Sequence, residues 1–262
     1  NTRSRGLGDV YKRQVVDITE RVKAKDKIEQ LASKLSRYLS PQVYQSIFSG
    51  KKNVKIEAYR KKLTVFFSDI KGFTEITDRL EPEVLSTLLN SYLNEMSKIA
   101  LKYGGTIDKF VGDAILIFFG DPETKGDKED AYSCVLMALE MQERMHHLKN
   151  LWEGQGITNP LEIRIGINTG YCNVGNFGSE NRLDYTIIGG EVNLASRLES
   201  NAMTGQILIS QETYALIKEH IVCEKKDEIK VKGIAHKIQT YQVVGLYKNI
   251  AQKRKIINEE FD

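Results

Sequence analysis

Cysteine, proline and tryptophan are scarce in this 262-residue chain, numbering three, four and one. The cysteines, Cys134, Cys172 and Cys223, are odd in number and have no Cys-x-x-Cys spacing. That excludes a disulfide framework of the secreted kind and points to a reducing, cytoplasmic setting. Long apolar runs are missing too: none approaches the roughly 20 residues a membrane span needs. No membrane segment is therefore expected within this chain, and no signal-peptide pattern is present. No sign of charge dominates, with 38 basic against 35 acidic residues and a net charge of +3. The basic residues are scattered, so nucleic acid is not an expected partner. The four histidines, His146, His147, His220 and His236, fall on predicted helices or in a late loop and read as solvated.

What is present is ordinary for a globular protein: 41% hydrophobic and 28% charged residues. Length allows one large domain, or one domain with an appendage. Residues 1–14 fit no pattern that follows. Asp-Val-Tyr-Lys-Arg-Gln back-translates as GAT GTG TAT AAG AGA CAG, resembling the end of a transposase sequencing adapter, and Ser4 to Gly8 match the bases upstream of it. They are read as translated adapter and set aside. On that reading the natural protein extends further toward its N-terminus, and a membrane tether in the longer parent stays open.

Residues 15–22 open with VVDITER, which resembles the closing strand of a PAS-like sensor domain. Residues 23–62 read as a signalling helix and linker. Ile28, Leu31, Leu35 and Tyr38 or Leu39 recur at three-to-four spacing among charged residues. The seam is narrow, suited either to pairing with its twin or to packing on its own domain. Pro41 is expected to break this helix, and Lys51–Lys62 reads as a charged linker. Residues 248–262 form a charged tail.

From Leu63 the pattern changes. LTVFFSD is a short apolar strand, and Pro82–Tyr103 a long helix with apolar residues at helical period. Gly105–Phe119 reads as a hairpin turning at Val111-Gly112. Another helix (DKEDAYSCVLMALEMQERMHHL), a strand (Leu161–Gly170), a helix (GEVNLASRLES), strand-like ILIS, helix-like ETYALIKEH and strand-like IQTYQVV follow. This order predicts an α/β fold, an α+β sandwich with a mixed, partly antiparallel sheet.

Two acidic residues stand out by placement. Asp69 ends the first strand, and Asp113 follows the hairpin turn. If those strands are neighbours, both side chains project from one edge. Paired carboxylates there suit a hard cation such as Mg²⁺, which keeps room for a substrate's phosphates. The plainer alternatives are a helix N-cap for Asp69 and a turn aspartate for Asp113.

FSDIKGFT, then DKFVGDAILIFFG with its Asp113 44 residues after Asp69, then RIGINTG and IIGGEVNLASRLES, together resemble the catalytic domain of class III adenylyl/guanylyl cyclases, in the bacterial subset with Lys and Thr as base-reading residues. The likeness runs from about Leu63 to about Tyr247, giving a catalytic domain over residues 63–247. SRYLSPQVYQSIF also resembles the segment that precedes bacterial members, and sensor domains are common upstream of it. The resemblance implies a ferredoxin-like, palm-like cyclase fold. It implies two metal ions, Mg²⁺ or Mn²⁺, on Asp69, Asp113 and the Ile70 carbonyl, and attack of a ribose 3′-oxygen on the α-phosphate. It makes Asn193 the ribose-positioning residue and Arg197 the stabiliser of α-phosphate charge; they stand i, i+4 on one helix face. Without the motif, Arg197 would be read as a salt-bridge partner of Glu199 or Asp184. Lys232 corresponds to a lysine on the terminal phosphates. Base choice is implied to rest on Lys109 and Thr186, donor to adenine N1 and acceptor from N6. Guanine's N1–H would face the lysine unpaired, so ATP is expected over GTP, with Lys109 carrying most of the discrimination. The resemblance further implies a homodimer with sites shared across a two-fold interface.

The rival readings are a guanylate cyclase and a non-catalytic nucleotide-binding signalling dimer. A polymerase-like palm shares the carboxylate pair, but no basic groove or stacking array for a template is present. Gly189-Gly190-Glu191 superficially matches the signature of diguanylate cyclases but stands before a helix rather than in a hairpin. Gly190 also replaces an Asp found in many members.

Overall fold

The computed structural model describes residues 19–34, 36–48, 56–154, 157, 161–231 and 237–248. The chain divides into two compact units, Asn1–Lys51 and Lys52–Asp262. In the first, residues 19–34 form helix α1, followed by a 3₁₀ turn at Ser36–Tyr38 and helix α2 at Pro41–Phe48. Pro41 thus starts a helix as well as ending the region before it. Its missing N–H is no loss in a first turn, and the Ser40 hydroxyl accepts a hydrogen bond from the Val43 amide at 3.3 Å. Ile28 and Leu31 of the apolar seam are exposed; Leu35 lies outside the described residues. Of the sensor-like VVDITER segment, residues 15–18 also lie outside them, while residues 19–21 belong to α1.

The second unit is built on an eight-stranded sheet. Its strands are β1 (Glu57–Ile70), β2 (Thr106–Val111), β3 (Ala114–Phe119), β4 (Ile163–Ser179), β5 (Arg182–Ile188), β6 (Ile207–Ser210), β7 (Ile221–Ile229) and β8 (Ile238–Leu246). The order is β2-β3-β1-β4-β6-β8-β7, with β5 paired to β4. Every pairing is antiparallel except β4 with β6. The helices are α3 (Phe73–Thr77), α4 (Pro82–Tyr103), α5 (Asp127–Gly154), α6 (Gly190–Asn201) and α7 (Gln211–Ile217). The mixed α/β sandwich expected from the sequence is present.

Strand alternation divides the two faces. Phe66 and Ile70 of β1 and Ile165 and Ile167 of β4 enter the larger core with Tyr92 and Met96 of α4, Val135 and Met141 of α5 and Ile217 of α7. Leu63 and Val65 of β1 and Cys172 and Val174 of β4 turn the other way, against Val192 and Ala195 of α6.

Several strands run beyond their predicted limits. The supposed linker residues Glu57–Lys62 are the start of β1, paired from Glu57↔Asn176 to Lys62↔Tyr171 with the far end of a β4 that itself continues to Ser179. They pair through backbone while their side chains stay largely in solvent, so polarity hid the strand. β5, β7 and the one-turn helix α3 were likewise not anticipated.

The RIGINTG motif is explained by close packing of α6 on β4. A methyl group added at Gly166 would sit 2.1 Å from the Glu199 amide nitrogen and 2.3 Å from the Ala195 carbonyl oxygen. Both are backbone atoms of α6, so only the helix as a whole can yield. The buried Asn168 donates to the Glu191 carbonyl at 3.0 Å and to its carboxylate at 2.7 Å, which explains the acid of Gly189-Gly190-Glu191 as a helix-docking contact. Overpacking of this kind costs about 1–3 kcal/mol or more. Gly166→Ala should therefore lower the thermal midpoint by several degrees, read by calorimetry, whereas Gly190→Ala, with nothing within 4 Å of the added methyl, should not.

Candidate active site

Asp69 and Asp113 come together at the sheet edge. β1 and β3 pair antiparallel up to Ser68↔Ile115, so the end of β1 meets the turn of the β2–β3 hairpin. Gly112, with φ 65°, makes that two-residue turn possible. Asp113 Oδ2 accepts a hydrogen bond from the Ile70 amide at 2.9 Å, and the Asp113 carboxyl faces that of Asp69. Asp69 is not a helix cap: the residue capping α3 is Gly72, in the left-handed region and without a side-chain bond.

Burial, followed by the adjacent Asp69, pushes the Asp113 carboxyl up to about 6. Beneath the pair lies Tyr92 of α4, fully buried, with its hydroxyl 3.4 Å from that of Ser68. Desolvation, and more weakly the two aspartates, raise the tyrosine hydroxyl far above its usual range. It stays a neutral floor.

Two residues that the sequence reading missed hold Asp69 in place. Arg164, directly across on β4, donates to Asp69 Oδ2 at 3.1 Å. Glu199 of α6 pairs with the same guanidinium at 2.6 Å and is itself buried. Burial raises the Glu199 carboxyl, opposed by the charge of Arg164. The absence of a side chain at Gly166 is what brings Glu199 this close to the strand.

The base-reading candidates are also brought together. Lys109 is exposed in the second half of β2 and Thr186 is buried in β5. Asp108 joins them: its Oδ2 accepts from the Thr186 hydroxyl at 2.6 Å, and its Oδ1 lies 3.3 Å from Lys109 Nζ. Asn193 and Arg197 are exposed on α6, on the side away from Glu199. Glu199 is committed to Arg164, and Arg197 makes no ion pair among the described residues. Among the described residues no hydrogen bond or ion pair joins Asn193 or Arg197 to Asp69 or Asp113. Lys232 and His236 lie outside the described residues.

The acidic pair fits a hard divalent cation. Two like charges side by side leave oxygen donors that a cation neutralises, and Mg²⁺ typically takes one or two carboxylates with substrate phosphates completing its shell. Among the described residues no group of three or more His, Cys, Asp or Glu forms a closed metal cage. Nor is any helix among the described residues long and apolar enough to cross a membrane.

Residues 54–245 match the model of the adenylate and guanylate cyclase catalytic domain. The solved adenylyl cyclase CyaB from P. aeruginosa is 64% identical, with a TM-score of 0.71, over 72% of this chain and 96% of that one. The guanylate cyclase domain of RhGC from Catenaria anguillulae, solved in complex with GTP, is 35% identical with a TM-score of 0.65, over 72% of this chain and 99% of that one. The terminal-differentiation-specific adenylate cyclase of Dictyostelium discoideum is 34% identical over 225 residues, which is 83% of this chain but a tenth of that relative.

Because Asp113 holds its proton more tightly folded than unfolded, stability falls as pH rises from about 4 to about 6, and above 6 the full cost of the ionised pair is present. Asp113→Asn keeps an acceptor for the Ile70 amide and removes one charge. In metal-free protein it should raise the thermal midpoint by about 2–4 °C at pH 7–8, a gain discounted for the half-exposed position. The gain should vanish below about pH 4, and a scan across pH checks both ends.

Proposed function

The chain belongs to the adenylate and guanylate cyclase catalytic domain family, and we propose that it converts ATP to 3′,5′-cyclic AMP and pyrophosphate as a homodimer. The observation that carries this reading is the juxtaposition of Asp69 and Asp113 at the end of β1, beside the Ile70 backbone. Two Mg²⁺ or Mn²⁺ ions held by these groups would supply Lewis-acid activation of the ribose 3′-oxygen and charge neutralisation at the leaving phosphates. Arg164 and Glu199 keep the Asp69 carboxylate oriented, and bound cations would relieve the repulsion between Asp69 and Asp113. Cytoplasmic ATP is the natural supply, in keeping with three cysteines that are all free.

Arg197 and Asn193 act on the nucleotide from the partner subunit. Their exposed placement on α6, opposite the face that docks on β4, supports this division. Arg197 contributes a fixed positive donor to the α-phosphate as its charge develops, and Asn193 orients the ribose. Lys109 donates to adenine N1 and Thr186 accepts from N6. Lys232 is assigned to the terminal phosphates. The exposed Ile28 and Leu31 seam of α1 suits pairing with its twin, as a lever beneath an upstream sensor domain.

A guanylate cyclase is the second reading, favoured by the likeness to the solved GTP-bound domain. Lys109 argues against it, because guanine N1–H and an ammonium are both donors. Purified protein should form cyclic AMP from ATP with Mg²⁺ or Mn²⁺ and turn over GTP far more slowly; equal turnover of both would defeat the base assignment. Arg197→Ala should lower kcat by about 10²–10³-fold. Asp69→Ala and Arg197→Ala, each severely impaired alone, should regain activity when mixed. A mixture that stays as impaired would sink the shared site.

A further inference from the structure

We propose that Asp108 is the residue that sets base choice, by fixing the direction of the Thr186 hydroxyl and tethering Lys109 beside it. The inference rests on the cyclase reading above and deepens it.

Three observations converge on Asp108. The first is a β-bulge. β2 and β3 pair Thr106↔Phe118 and Ile107↔Ile117, then Lys109↔Leu116, so Asp108 is the extra residue. In a regular strand, neighbours point to opposite faces, and an aspartate would face away from the following lysine. The bulge re-aims the chain, so that Asp108 Oδ1 and Lys109 Nζ stand 3.3 Å apart.

The second is the commitment of Asp108 Oδ2. It accepts from the Thr186 hydroxyl at 2.6 Å and from the Ile187 amide at 3.2 Å, linking β2 to β5. A threonine hydroxyl carries one proton. With that proton given to a carboxylate in a short, charge-assisted bond, the remaining Oγ1 lone pairs can only accept. An exocyclic amino group satisfies them, as in adenine. A carbonyl oxygen at the same place, as in guanine, sets acceptor against acceptor. The ambiguity of a bare threonine, which can donate or accept, is removed by its neighbour.

The third is the burial of Asp108. Its side chain is 1% exposed, against 42% for Lys109. Oδ1 is shut from solvent, with the Lys109 ammonium 3.3 Å away. Burial raises the Asp108 carboxyl, while Thr186, Lys109 and the Ile187 amide all favour its charged form. The ammonium is thus held near a fixed anion with N–H groups left over for a ring nitrogen. Asp108 is a positioning residue: it acts on the base through Thr186 and Lys109.

The test compares kcat/KM for ATP and GTP in purified protein. Asp108→Ala frees the Thr186 proton to donate, and the ATP:GTP ratio should fall about tenfold or more, with Asp108→Asn, which keeps an acceptor, falling less. Since the effect runs largely through the hydroxyl, Asp108→Ala added to Thr186→Val should change the ratio little further. Equal loss toward both nucleotides, at an unchanged ratio, would mark Asp108 as purely structural and overturn the inference while leaving the cyclase reading intact. No product from either nucleotide in the wild type would overturn both. Should Asp108→Ala not fold, Thr186→Ser and Thr186→Val read the same point: Ser must retain the ATP:GTP ratio and Val must lower it, Lys109 still holding part of the preference. A Val variant with full preference would refute the role assigned to the pair.

Discussion

Two carboxylates held at adjoining strand ends repel one another, and much of the surrounding architecture answers that repulsion. The Ile70 amide donates to Asp113, the Arg164 guanidinium neutralises Asp69, and Glu199 fixes the guanidinium from the next layer. The buried Tyr92 closes the floor without adding charge. These partners reduce the strain of the pair without removing it, since Asp113 remains well above the ordinary aspartate range. A site left in that condition is favourable ground for divalent cations, and its stored cost is the usual mark of function exceeding stability at one place.

The strand that makes this possible is β4. Its two faces do different work because side chains alternate. Ile165 and Ile167 enter the main core, while Arg164, Gly166, Asn168 and Gly170 turn toward α6. The missing side chain at Gly166 lets α6 approach to backbone contact, and Asn168 clamps the start of that helix through Glu191. That approach carries Glu199 to Arg164, and Arg164 to Asp69. Packing on one face therefore reaches the charge arrangement at the sheet edge in three contacts.

Much of this was legible in the sequence where the signal was periodic or chemically distinctive. The helices α4 and α6, the hairpin and the apolar half of β1 follow from spacing, and Asp69 and Asp113 from their positions at strand end and turn. The charged half of β1 was not legible, since Glu57–Lys62 pairs through backbone and keeps polar side chains outward. β5 does alternate polar and apolar residues from Arg182 to Ile187, a period-two signal that the sequence reading passed over. Arg164 and Glu199 are 35 residues apart and read separately as surface charges; only strand register and the glycine-packed helix unite them. Asp108 stood directly before Lys109, yet simple alternation assigns adjacent strand residues to opposite faces, and the bulge that brings them together has no marker such as glycine.

Helix geometry constrains how the two sets of candidates can meet. Successive residues on α6 turn by about 100°, so Glu199 lies about 200° round from Arg197. Glu199 is pinned to Arg164 on the inner face, which leaves Arg197 and its i−4 neighbour Asn193 directed outward. To aim Arg197 at the aspartates of its own chain, α6 would have to rotate by half a turn, withdrawing Glu199 and burying polar side chains against Gly166. The tight contact there forbids it. In the proposed homodimer a second chain would bring Asn193 and Arg197 to the carboxylates with α6 undisturbed. The same close packing that secures Asp69 within one chain therefore makes the outer face of α6 available to another, and it gives the proposed homodimer its physical rationale.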